Sequence, residues 1–114
     1  QSGAQKLRLE LENLEYERLI MVLSILGDKD YQGIIEQLAP IADELILAQN
    51  QNPRAAKVED LYKCVQNYQV QVKSEKDLEK AVDDAISEAR EKDLILIGGS
   101  LYTVSEIRKK FIAK

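Results

Sequence analysis

Residues 19–38 read LIMVLSILGDKDYQGIIEQL. Residues 19–26 are apolar except for Ser24, and a run so short and continuous suits a strand covered on both faces. Gly27 breaks the run, and Asp30 then stands as an N-cap before Tyr31–Leu38, where Ile34, Ile35 and Leu38 share one helical face. Strand, turn and helix in immediate succession make the first half of a β–α–β unit. The rest of the chain has to supply its partners.

It does so in both directions. Residues 44–48 (ELILA) and 93–97 (DLILI) are again nearly continuous in Leu and Ile. Residues 68–72 (YQVQV) alternate apolar with Gln, the pattern of an edge strand with one wetter face. Between the runs lie helical stripes. From Leu78 the apolar positions are Leu78, Ala81, Val82, Ala85, Ile86 and Ala89, with Ser74 and Asp77 resembling a capping box ahead of them. Residues 58–66 align Val58, Leu61, Tyr62 and Val65. Leu101, Val104, Ile107 and Phe111 predict a final helix, with Lys109 and Lys110 near its carboxyl end. The first segment is ambiguous, since Leu7, Leu9 and Leu11 alternate while Ala4, Leu7, Leu11 and Leu14 follow a helical spacing. Its richness in Glu and Lys, without β-branched residues, favours helix.

The expected order is αβαβαβαβα. It implies an α/β, Rossmann-like open sheet, mainly parallel, of about four strands with helices on both faces and right-handed crossovers. At 114 residues the chain is one domain, and a helix feeding directly into a parallel sheet suggests a first strand that is missing.

Composition removes several kinds of chemistry. The chain has no histidine, which excludes a His-based hydrolytic site or zinc site within it. Its single cysteine, Cys64, forms no internal disulfide and reads as a packed helical thiol, which fits a cytoplasmic protein. With 16 Lys and Arg against 20 Asp and Glu, the net charge of −4 leaves no basic stripe for nucleic acid. Apolar runs of about eight residues fall short of the roughly 20 that span a bilayer, so no membrane partner is expected.

Ligands of open parallel sheets gather beyond the carboxyl ends of the strands. Three polar segments fall there: Gly27-Asp28-Lys29-Asp30-Tyr31, Gln49 through Asn52-Pro53-Arg54, and Gly98-Gly99-Ser100. Each has a plainer reading. Asp28 and Asp30 would cap a helix in any α/β protein. Asn52-Pro53-Arg54 would serve as an exposed turn, although an arginine there can also grip a carboxylate with two parallel bonds. Gly98-Gly99-Ser100 is neither GxxxxGK[ST] nor GxGxxG, so it is no nucleotide motif. Its glycines permit close backbone approach, and Ser100 at a helix start would welcome a carboxylate or phosphate.

Together the segments are more specific. ILGDKDYQGIIEQLAPIADELILAQNQNPRAA (25–56), followed by DLILIGGSLYTVSEIR (93–108), resembles the C-terminal domain of folylpolyglutamate synthase/dihydrofolate synthase, of the Mur ligase superfamily. The resemblance spans nearly the whole chain. It implies that ATP phosphorylates a folate or dihydropteroate carboxylate, that L-glutamate attacks the acyl phosphate, and that magnesium is required. By resemblance, Asn52, Pro53, Arg54 and Ser100 lie on the glutamate side. Asp28, Lys29, Asp30, Gly98 and Gly99 line the cleft towards the nucleotide. The family's DGAHN-like string precedes a helix matching SGAQKLRLELENL, and this chain starts at Gln1-Ser2-Gly3-Ala4. The expectation is therefore an N-terminally truncated, monomeric domain over 1–114, lacking its first strand and its P-loop domain. Such a piece has no catalytic residue or metal ligand of its own, holds no cofactor tightly, and is inactive alone. The competing readings are a peptidoglycan Mur ligase domain and a flavodoxin-like binding module.

Overall fold

The computed structural model describes residues 3–27, 30–49, 53–97 and 100–103. In chain order the elements are α1 (Gly3–Glu12), β1 (Leu19–Leu23), α2 (Tyr31–Leu38) with a short 3₁₀ turn at Ala39–Ile41, β2 (Glu44–Gln49), α3 (Val58–Val65), β3 (Gln71–Asp77), α4 (Leu78–Glu88), β4 (Leu94–Ile97) and β5 (Ser100–Thr103). They form one five-stranded sheet in the order β3-β2-β1-β4-β5. The first four strands are mutually parallel. β5 runs antiparallel beside β4, with Ile97 opposite Ser100 and Leu94 opposite Thr103.

Why the central runs lack alternation is visible in the core. Leu19, Met21 and Leu23 of β1, Leu45 and Leu47 of β2, and Leu94 and Leu96 of β4 face Leu11 of α1, Ile35 and Leu38 of α2, and Leu61 and Val65 of α3. The residues between them, Ile20, Val22, Ile46, Ala48 and Ile95, face Ala81 and Ala85 of α4. The period of two is intact, but both faces are buried, so both sets must be apolar. Small alanines on α4 let that helix approach the sheet closely.

The strand order also explains which helix covers which face. From β1 the chain steps outward through α2 to β2 and through α3 to β3, then returns past β1 through α4 to β4. Right-handed crossovers stepping in opposite directions put their helices on opposite faces, which is where α2 and α3, against α4, are found. The direction of winding reverses between β1 and β4.

Several expectations need correction. No helix begins directly after Gly98-Gly99: Ser100 and Leu101 lie in β5, while Val104, Ile107 and Phe111 fall outside the described residues. Leu101-Tyr102-Thr103 suits a pleated ladder, and the open edge of β4 supplies its partners. The edge strand is real but begins at Gln71 rather than Tyr68. Tyr68 and Val70 pack on the core before the ladder starts, and the ladder itself is the charged QVKSEKD. There Lys73 pairs with Glu44 at 3.3 Å and with Glu88, which blunts an edge otherwise open to other strands. Ser74 lies within β3, so it does not cap α4. Asp77 does, accepting from the Glu79 N–H at 3.0 Å.

Candidate functional site

The carboxyl ends of β1, β2 and β4 emerge on one edge of the sheet, as parallel pairing requires. Past Leu23 the chain leaves the ladder and its next residues meet the connection between β2 and α3. Leu26 and Ala55 form an isolated antiparallel bridge. Around it the Gly27 N–H donates to the Arg54 carbonyl at 2.6 Å, and the Ala56 N–H donates to the Ile25 carbonyl at 2.7 Å. The approach is close at Gly27: a Cβ there would stand 3.1 Å from the Arg54 oxygen, so a larger residue would need that backbone to give by a few tenths of an ångström. The Arg54 side chain remains exposed beyond it, as does Pro53.

A second tie closes the same connection at its base. Lys57, the N-cap position of α3, has no capping side chain. Instead the Val58 N–H donates to Oε1 of Gln49, the last residue of β2, at 2.9 Å. A helix start left without a local acceptor is thus satisfied from the preceding strand.

Asp30 serves α2. Its Oδ1 accepts from the Gly33 N–H at 3.0 Å. A Cβ on Gly33 would meet its Oδ2 at 2.3 Å, so cap and glycine form one unit. Asp30 is exposed, and its position at the site edge is compatible with this local duty. The sheet register carries Ser100 to the same edge, opposite Ile97, but in a strand, which removes the expected helix N-terminus from this residue. Asp28, Lys29, Asn52, Gly98 and Gly99 lie outside the described residues. Of the expected site residues, then, the structure joins Arg54 to the β1 loop and puts Ser100 on the shared edge.

At the point where the winding reverses, a cavity of about 510 Å³ opens between α1, the end of β1 and α2. Ala4 and Leu7, Leu23, Ile25 and Leu26, and Ile34 and Leu38 give it apolar walls, with Lys6, Glu10 and Ser24 as its polar groups. Reading residues along the chain misses both this wall and the role of Gln49. Gln49 caps a helix nine residues on, a distance no local capping rule covers, and the cavity exists only after α1 docks.

Among the described residues no three His, Cys, Asp or Glu side chains are grouped to hold a metal ion. Burial, then the nearby Asp60 and Glu36, push the Cys64 thiol above its usual range, and its Sγ donates to the Asp60 carbonyl at 3.6 Å, as a packed helical cysteine does. No helix among the described residues is long and apolar enough to cross a membrane.

The opposite edge is bound differently. The Asp93 side chain is fully buried while that of Arg18 keeps 35% of its surface exposed. Oδ2 of Asp93 accepts from Arg18 Nη2 at 2.7 Å, Arg18 Nε at 3.1 Å and the Arg90 N–H at 2.9 Å. Burial alone would raise the Asp93 pKa, but the hydrogen bonds from Arg18 and Arg90 outweigh it and hold the carboxyl below the ordinary range.

Comparison with known proteins shows the family of the chain. The family described as Mur ligase, glutamate ligase domain matches residues 2–101. The dihydrofolate synthase/folylpolyglutamate synthase of Bacillus subtilis is 33% identical over 115 residues, covering 96% of this chain and 25% of its own length. Its namesake from Escherichia coli is 30% identical over 97 residues, covering 85% of this chain and 22% of its own length. Among solved structures, Escherichia coli FolC in complex with ADP superposes with a TM-score of 0.76 at 29% identity, over 96% of this chain and 26% of that one. The bifunctional Yersinia pestis synthase with Mn, AMPPNP and L-glutamate bound gives 0.73 at 26% identity, over 96% of this chain and 26% of its own. The chain thus spans about a quarter of the length of these relatives. With the family match running through nearly all of its described residues, the chain belongs to the Mur ligases as a glutamate ligase domain.

Proposed function

We propose that this chain is the domain of an ATP-dependent folylpolyglutamate/dihydrofolate synthase that helps bind L-glutamate and closes over ATP. The observation that carries the reading is the clasp at the carboxyl edge. In a glutamate ligase domain, it fixes the Arg54 backbone against the β1 loop, with Arg54 itself an exposed residue. A planar guanidinium accepts a carboxylate through two parallel charge-assisted bonds, which suits an amino acid that carries two carboxylates. That one solved relative holds L-glutamate and AMPPNP supports the same substrate pair.

In the proposed reaction an oxygen of the folate carboxylate attacks the γ-phosphorus of ATP, and ADP leaves. The glutamate nitrogen then attacks the acyl carbon, the C–O bond to phosphate breaks, the nitrogen gives up a proton, and an amide remains. This chain's residues bind and orient. Arg54 holds a glutamate carboxylate so that the amine faces the acyl phosphate, and Ser100 stands on the same edge as a second polar position. Orientation of this kind converts an encounter between separate molecules into a reaction within one complex. The described residues do not fit a metal site, so no step here is assigned to magnesium. Phosphoryl transfer and the folate site belong, in this reading, to the rest of a longer ligase.

The test is the pattern of requirement. In the complete ligase, ATP consumption with a folate substrate should depend on L-glutamate, and the 114-residue chain alone should show none. Turnover by the isolated chain, or equal turnover with any amino acid, would contradict the proposal.

A further inference from the structure

We infer that Gln49 is a positioning residue for Arg54, setting glutamate affinity without touching glutamate; the inference rests on Arg54 being the group that grips glutamate. Three hydrogen bonds among the described residues tie down the connection that carries Arg54. Two are backbone bonds to the β1 loop, Gly27 N–H to the Arg54 carbonyl at 2.6 Å and Ala56 N–H to the Ile25 carbonyl at 2.7 Å. The third is a side-chain tie, Gln49 Oε1 accepting from the Val58 N–H at 2.9 Å.

The bonds act on different degrees of freedom. The backbone pair fixes the height of residues 54–56 against β1. The Gln49 bond joins the last residue of β2 to the first of α3, and so fixes where the connection ends. Lys57 supplies no cap of its own, so without Gln49 the Val58 N–H loses its acceptor and α3 is free to start a turn later. That slack would pass directly to residues 54–57. Because Arg54 reaches its ligand through a long exposed side chain, a small backbone displacement misaligns a bidentate contact, which tolerates less error than a point charge does.

A helix cap alone would predict the same hydrogen bond, so the test separates a local stability effect from an effect on glutamate. In the complete ligase, Gln49→Leu removes the acceptor at nearly the same volume. Gln49→Glu keeps an acceptor, and the added charge would share a shallow depression with Lys57, Lys76 and Glu59, the last already paired with Lys76 at 3.6 Å. Gln49→Leu should raise the glutamate KM about threefold to tenfold, the size of one lost hydrogen bond, with the ATP KM and kcat within about twofold of the parent. Gln49→Glu should restore the parent value. In the 114-residue chain, amide hydrogen exchange at Val58 should quicken in Gln49→Leu and not in Gln49→Glu. If Gln49→Leu does not accumulate as folded protein, Gln49→Asn carries the test, since it shortens the arm and keeps the amide. Arg54→Lys, measured alongside, separates the two claims. A raised glutamate KM in Arg54→Lys with an unchanged one in Gln49→Leu overturns the positioning role alone. So does a Gln49→Leu that changes kcat and both KM values together. An unchanged glutamate KM in Arg54→Lys overturns the reading of Arg54, and the role of Gln49 with it.

Discussion

The two edges of this sheet are held by opposite means. At the amino edge, where β1 and β4 begin, a buried carboxylate gathers three donors from Arg18 and Arg90, and Asp43 Oδ2 accepts from the Leu19 N–H at 2.7 Å. Charged side chains there are consumed by the fold. At the carboxyl edge the loops are joined through backbone bonds and the neutral Gln49 side chain, and Arg54 is an exposed residue. Asp30, which caps α2, is the charged group spent on structure at this edge, beside backbone bonds and the neutral Gln49 side chain.

The comparison predicts that damage at the two edges will differ in kind. The largest stability loss should come from Asp93→Ala, which leaves the Arg90 N–H without its acceptor and Arg18 with the Glu88 carbonyl in place of a carboxylate. About 2–3 kcal/mol is expected, less than for a fully desolvated pair because Arg18 is partly screened by water. Denaturant unfolding measures it, and the glutamate KM of the complete ligase should not change. A shift in that KM would dissolve the distinction between the edges.

The same carboxylate gives the comparison a pH signature. The folded-state pKa of Asp93 lies below its ordinary value. Its stabilisation is therefore present above the unfolded value, near pH 4, and is lost as pH falls through the lowered folded value. Acid unfolding of Asp93→Asn should show less of this steepening than the parent, and an identical profile would argue that the pair contributes nothing.

A smaller effect is expected at Asp30. Asp30→Ala should cost about 1 kcal/mol as a lost N-cap. Gly33→Ala sets gained helix propensity against a displaced cap, so alone it should change stability by less than about 0.5 kcal/mol. In the Asp30→Ala background, with nothing left to displace, it should stabilise by roughly 0.5–1 kcal/mol. Thermal denaturation of the four proteins in this cycle decides the point; additive effects would mean that Gly33 and Asp30 are independent.

What could be read along the chain obeys the same division. β1, β2 and β4 were legible because burial on both faces forces continuous Leu, Ile and Val, and α2 because Asp30 and its apolar stripe are local signals. β3 was found displaced by three residues, since an edge ladder of Lys, Ser, Glu and Asp carries no hydrophobic period, whereas the neighbouring Tyr68 and Val70 do. The spacing of Leu101, Val104 and Ile107 suggested a helix, but Ser100–Thr103 finds its partners on the free edge of β4. Arg54 could be nominated from Asn52-Pro53-Arg54 and the family resemblance. Its support could not, because the clasp joins residues 25–27 to 54–56 and the Gln49 bond reaches across an entire connection. Such contacts leave no periodicity for a sequence to display.

The central claim is that the carboxyl edge of this domain grips glutamate through Arg54. The direct measurement is the steady-state KM for L-glutamate and for ATP in the complete ligase carrying Arg54→Ala. Loss of a charge-assisted pair should raise the glutamate KM by about tenfold or more, with the ATP KM within about twofold and the domain as stable as the parent. A glutamate KM that stays at the parent value, or an ATP KM that rises alongside it, would contradict the account.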